Sequence, residues 1–177
     1  MIRAVCVALA AFALSSPVVA RQQQTPESLL GHLAGKWVMR GTLQNQQTTH
    51  DVDAAWVLNS GYMQLHEVSR EKDAKGGPAY EAIIYISIDQ KTGELSCLWL
   101  DTTSNAGLTN GVMGRGTPNG NAIPFLFKSG ADTFHNTFTY NPSADSWQWQ
   151  LDDENGGKRA HRFPLVSGDN NTVCATV

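Results

Sequence analysis

Few side chains in this sequence combine a type and a spacing that could do chemistry. His66 and Glu67 are neighbours, but on a strand they point to opposite faces and form no local acid–base pair. His66 shares its face with Tyr62, Gln64 and Val68, a mixed polar and apolar set. Such a face either lines a cavity, where a few placed polar groups orient a ligand, or is an ordinary surface. His50 alternates sides with Asp51, so a metal shared by His50, Asp51 and Asp53 would require the strand to bend, and no metal is expected. The acidic run Asp152-Asp153-Glu154-Asn155-Gly156 lacks the ligand spacing of a calcium loop and reads as a solvated hairpin tip. There is no Gly-x-Ser-x-Gly elbow, no phosphate loop and no His-Glu-x-x-His pair. The Gly-rich stretch 111–116 is not followed by a helical pattern and fits a bend in a strand. No catalytic residue is assigned. An enzyme in which Tyr62, His66 or Tyr85 moves protons is the alternative to a binding protein.

The aromatic residues carry more weight. Trp37, Trp56, Trp99, Trp147 and Trp149 each have a large apolar area to bury, and core packing accounts for most of them. The remainder suit the wall of a pocket. Trp99, Phe138 and Trp149 are the candidates to contact the body of a small hydrophobic or aromatic molecule, with Tyr62 or His66 fixing a polar end.

These side chains must be positioned by strands. Thr25-Pro26-Glu27-Ser28 reads as an N-cap, a first-turn proline and an acid near the positive helix end, and Leu29, Leu30 and Leu33 give the helix one apolar side up to Gly35. From Lys36 onward the period changes to two. Ten strands are predicted, over 37–43, 49–58, 62–69, 80–89, 94–103, 111–117, 122–128, 133–140, 146–152 and 158–165. The turns at 59–61, 90–93, 110–111, 119–120, 141–143 and 155–157 carry Asn, Gly and Pro as hairpins demand. One apolar face recurs: Tyr80, Ala82, Ile84, Ile86 and Ile88 in the fourth strand, Phe134, Phe138 and Tyr140 with Asn136 in the eighth, Trp147, Trp149 and Leu151 in the ninth. Ten such strands need their apolar faces covered. An up-and-down barrel does this and removes exposed edges, while a two-sheet sandwich is the competing architecture. An interior of this girth leaves room for a guest, since even eight-stranded barrels can hold one.

The chain has 177 residues, enough for one domain with a core, and a formal charge of −3 without a basic run, which argues against a nucleic-acid partner. Residues 1–20 have the form of an export signal: Arg3, eleven apolar residues from Ala4 to Leu14, then Val18-Val19-Ala20 before Arg21. Eleven apolar residues are too few to span a bilayer, which takes about 20, so no membrane span is expected and the protein is placed in the periplasm or outside the cell. Residues 21–34 form a leader and short helix, 35–166 the barrel, and 167–177 a flexible tail. Cys6 leaves with the signal. Cys97 and Cys174 then remain in an oxidising compartment, where they either pair or stay as a core residue and a tail thiol. Oligomeric state is not encoded in any pattern here.

The short helix running into Gly35-Lys36-Trp37 resembles the Gly-x-Trp opening of lipocalins and their calycin relatives. Leu33 to Trp37, Trp56 to Tyr62, Tyr85 to Gly93 and Trp99-Leu100-Asp101 look like an uncharacterised bacterial family of exported lipocalin-like barrels, distantly similar to nitrobindin-type barrels. The likeness covers most of residues 29–164. It implies an arginine of the last strand packed on Trp37 to close the barrel base. Arg159 and Arg162 point opposite ways, so one of the two would fill that role. It also implies a haem alternative, with the late His161 as axial ligand. Otherwise no cofactor is expected.

Overall fold

The computed structural model describes residues 25–43, 46–103, 111–129, 132–153 and 161–167, the last of these by backbone alone. One short helix, α1 (Pro26–Gly31), precedes ten strands: β1 (Gly35–Leu43), β2 (Gln46–Val57), β3 (Tyr62–Ser69), β4 (Glu81–Ile88), β5 (Leu95–Asp101), β6 (Val112–Gly116), β7 (Ala122–Ser129), β8 (Asp132–Asn141), β9 (Ser146–Asp153) and β10 (His161–Ser167). Each strand pairs antiparallel with the next, and β1 pairs with both β2 and β10, closing the barrel. The up-and-down barrel is therefore the architecture, and the sandwich is excluded. Closure leaves no free sheet edge.

The helix is capped as its sequence dictates. Ser28 N donates to Thr25 Oγ1 at 3.2 Å, and Glu27 lies in the first turn. It is shorter than expected, ending at Gly31. A turn then carries the chain to Gly35, whose φ of +141° belongs to a region that L side chains rarely enter. The β2–β3 turn also departs from expectation. Its positive-φ residues are Leu58, Asn59 and Ser60 rather than Gly61, whereas Gly93 and Gly120 serve their hairpins as anticipated. The turns expected at 110–111 and 155–157 fall wholly or partly outside the described residues.

Strand alternation sorts the side chains. Val52 and Ala54, Met63 and Leu65, Ile84 and Ile86, Leu95 and Cys97, Phe125 and Phe127, and Trp147 and Trp149 all face inward and are almost fully buried. The Gly-rich β6 has a packing reason: a Cβ on Gly114 would lie 2.7 Å from the Phe127 ring, and one on Gly116 2.5 Å from the Pro124 carbonyl oxygen. Small residues there let the two phenylalanines of β7 fill the barrel.

The interior has two unlike ends. Where β1 begins, α1 plugs it. Leu29, Leu30 and Leu33 are buried, Trp37 Nε1 donates to the Leu33 carbonyl at 2.7 Å, and Trp147 Nε1 donates to the His32 carbonyl at 3.1 Å. The His32 ring stacks on Tyr140 with centroids 4.2 Å apart. At the other end, where β3 and β5 finish, the interior is hollow.

Candidate binding cavity

The hollow end holds a cavity of about 300 Å³, whose lining mixes the apolar Trp99, Val112, Phe134, Trp149 and Leu151 with the polar His50, Glu67, Tyr80, Asp101 and Asn136. Trp149 is braced from behind by Phe138, stacked on it at 4.5 Å, and meets Trp99 edge-on at 6.1 Å. Trp99 Nε1 donates to the Tyr80 hydroxyl at 2.9 Å, which locks both rings into the wall. The aromatic wall is thus held by its own contacts.

The polar side centres on His50 and Glu67. β2 and β3 pair with Val52 opposite Glu67 and His50 opposite Ser69, which puts the two side chains on the same inward face, diagonal to each other. His50 Nδ1 meets Glu67 Oε1 in a very short hydrogen bond between two nearly fully buried side chains. His50 Nε2 lies 2.6 Å from Thr48 Oγ1, whose hydroxyl donates to Glu71 Oε2 at 2.9 Å. A hydroxyl has one proton. Donated to Glu71, it leaves the Thr48 oxygen to accept from His50 Nε2–H, so the other ring nitrogen shares one proton with Glu67. The result is a hydrogen-bonded row from the exposed Glu71 carboxylate to the cavity wall.

Burial pushes the Glu67 carboxyl above the usual carboxylate range; the hydrogen bond from His50 acts in the opposite direction but does not overcome it. Burial, with Glu67 and Asp101 nearby, likewise drives the Tyr80 phenol far up, keeping it a neutral donor. Asp101 accepts from the Thr103 backbone at 2.9 Å and from its hydroxyl at 2.7 Å, with the Tyr80 hydroxyl 3.4 Å away. Two buried polar atoms on this wall have no hydrogen-bond partner among the described residues, Glu67 Oε2 and Trp149 Nε1. One is an acceptor and the other a donor. An unpaired polar group in an interior costs about 1–3 kcal/mol, so each is a place a ligand can satisfy.

Of the expected site residues, Trp99 and Trp149 line this cavity, and Phe138 supports it from beneath without lining it. Tyr62 and His66 do not reach it. The inward parity of β3 belongs to Met63, Leu65, Glu67 and Ser69, which turns Tyr62 and His66 to the outside. Tyr62 is 42% exposed in an outer groove with Leu58, Tyr85 and Met113, so Tyr85 is also outside the barrel. His66 binds Glu81 at 2.7 Å on the outer surface. The proton-moving roles considered for Tyr62, His66 and Tyr85 therefore have no enclosed site behind them.

Ser167 of β10 lies opposite Trp37, and the backbone of Arg162, paired with Gln150, is five residues away along the strand, roughly 17 Å at about 3.4 Å per residue. The Arg162 side chain lies outside the described residues, and among those described it is α1 that covers this end. Arg159 and Cys174 lie outside the described residues, as do residues 1–24 with the export signal. Cys97 is a buried free thiol whose pKa burial raises, an inert core residue where it stands. His161 opens β10, and its side chain is likewise not described. The histidine that does line the cavity, His50, has both ring nitrogens engaged and offers no lone pair to a haem iron. His50 therefore does not stand in for His161, on which the haem alternative rests and whose side chain lies outside the described residues. Among the described residues, no group of three His, Cys, Asp or Glu is arranged for a metal, and no helix is long and apolar enough to cross a membrane.

A scan of this chain against protein-family models and a search of the curated proteins each return no match.

Proposed function

We propose that this protein is an exported lipocalin-like barrel, akin to the nitrobindin-type barrels, that binds one small, largely apolar molecule in the hollow end of its interior. The observation that carries the reading is the cavity itself. It combines an aromatic wall braced by Phe138 with two buried polar atoms, Glu67 Oε2 and Trp149 Nε1, that no group among the described residues satisfies. Its volume of about 300 Å³ is at the lower end of small-molecule pockets and suits a guest of one or two rings. Affinity comes from covering Trp99, Phe134 and Trp149, at about 25 cal/mol per Å² of apolar surface before association costs.

The test is native mass spectrometry of the exported, mature protein, followed by titration with indole and with benzyl alcohol while tryptophan fluorescence is recorded. The expected result is a one-to-one complex that perturbs the emission of Trp99 and Trp149. Val112→Trp, which places a ring in the hollow, should keep the fold and weaken binding at least about tenfold. Binding that ignores Val112→Trp would put the guest elsewhere, and an absence of binding by the wild type would remove the carrier reading.

A further inference from the structure

Resting on the binding reading above, we infer that the preferred guest of this cavity is a protonated amine on an aromatic body, and that the cavity discriminates against carboxylates. Three observations carry this. Glu67 Oε2 is an acceptor with no partner among the described residues, on a side chain that is nearly fully buried and lines the cavity. It remains an acceptor whichever of the pair holds the shared proton, because that proton lies between Oε1 and His50 Nδ1. Most of the rest of the wall has the same sense, the Trp149 Nε1 donor apart. Trp99, Phe134 and Trp149 bring aromatic rings to the lining, Asp101 adds a carboxylate, and no Lys or Arg is among the described lining residues. An ammonium group would donate to Glu67 Oε2 and be attracted by the rings, whereas a carboxylate would be desolvated against an acid with no Lys or Arg among the described lining residues to meet it.

The nearest alternative is a neutral donor such as an alcohol. It would satisfy Oε2 equally in geometry but would draw nothing from the ring faces or the acidic wall. A matched set separates the cases: phenethylamine, phenethyl alcohol and phenylacetate share a ring and a two-carbon arm and differ in the charge of the head. Affinities of the full exported chain are measured by calorimetry at neutral pH. The expected order is amine, then alcohol, then carboxylate, with the amine about tenfold or more tighter than the alcohol. Glu67→Gln should abolish that advantage while leaving the alcohol within a few-fold, since glutamine can still donate to His50 Nδ1 and keep the row to Thr48 intact. If phenylacetate or the alcohol binds as tightly as the amine, or if Glu67→Gln leaves the amine preference in place, the inference fails and the cavity reading survives. If none of the three binds, the cavity reading fails and takes the inference with it. Should Glu67→Gln not fold, the wild-type ranking decides alone.

Discussion

The two ends of this barrel are built from the same alternation and put it to opposite uses. At the plugged end the described inward side chains are apolar or aromatic, and Leu29 and Leu30 of α1, with Leu33 just beyond it, complete the packing. The indole N–H groups of Trp37 and Trp147 both find carbonyls at the end of the helix. At the hollow end inward positions of β2, β3 and β8 switch to His50, Glu67, Ser69 and Asn136, and the indole N–H of Trp149 finds no partner among the described residues. An indole N–H that already has its acceptor, as in Trp37, Trp147 and Trp99, has nothing left to donate. One that is buried and unpaired among the described residues can donate to a guest.

The largest test of this contrast compares a residue from each end. Trp147→Ala removes a fully buried ring, its hydrogen bond to the His32 carbonyl and its contact with Tyr140. It should cost about 3–5 kcal/mol in urea unfolding. Val112→Ala trims a half-buried side chain at the rim of a space that is already empty and should cost about 1 kcal/mol or less. Equal costs would mean the cavity is part of the packed core and would break the comparison.

Much of this contrast was legible before any coordinates. The inward faces of β4, β8 and β9 follow from period two because their two faces differ sharply in polarity. β3 fails for the opposite reason. Tyr62, Gln64, His66 and Val68 on one side and Met63, Leu65, Glu67 and Ser69 on the other are each half polar, so alternation within the strand cannot choose between them. The choice is made by β2, where Val52 and Ala54 fall opposite Glu67 and Leu65. A signal for this existed. A turn centred on Asn59 and Ser60 sets that register, and it puts His50 diagonal to Glu67 on the one face of β2 that is apolar. Two polar residues meeting on apolar faces of neighbouring strands are the mark of the site. The cavity's shape, by contrast, comes from rings of β5, β8 and β9 that meet across strands, Trp99 with Trp149 and Trp149 with Phe138, and is not written in any local pattern.

A smaller effect sharpens the same comparison through pH. Because the folded Glu67 carboxyl is raised above its ordinary value of 4.5, the folded protein holds its proton after the unfolded chain has lost it. Its contribution is therefore full below about pH 4.5 and declines as pH rises through the higher folded value. Glu67→Gln cannot titrate, so its stability relative to the wild type should improve across that window, by an amount on the order of 1–3 kcal/mol. His50, Tyr80 and Asp101 face the carboxyl in both proteins, so the difference between the two stability curves isolates Glu67. Parallel curves would show that the pair stays charged and fully compensated, and the hollow end would then be no more costly than the plugged one.

The smallest effect lies one residue from His50, on the other face of the same strand. Asp51 takes a two-pronged hydrogen bond from Arg70, with Nη2 at 2.5 Å and Nε at 3.0 Å, and that bond holds its carboxyl below the usual 3.8. The sign is the reverse of that for Glu67. The pair's contribution is present above pH 3.8 and is lost as pH falls through the lowered folded value. Both side chains are about half exposed, so solvent screens the attraction and Asp51→Asn should cost only about 0.2–1 kcal/mol at neutral pH, less in high salt. It should also leave the amine-to-alcohol affinity ratio untouched, because the charge stands outside the wall. A loss as large as that of a buried substitution, or a changed ratio, would mean that the field of the outer surface reaches the cavity. The selectivity assigned to Glu67 would then belong to the β2–β3 hairpin as a whole.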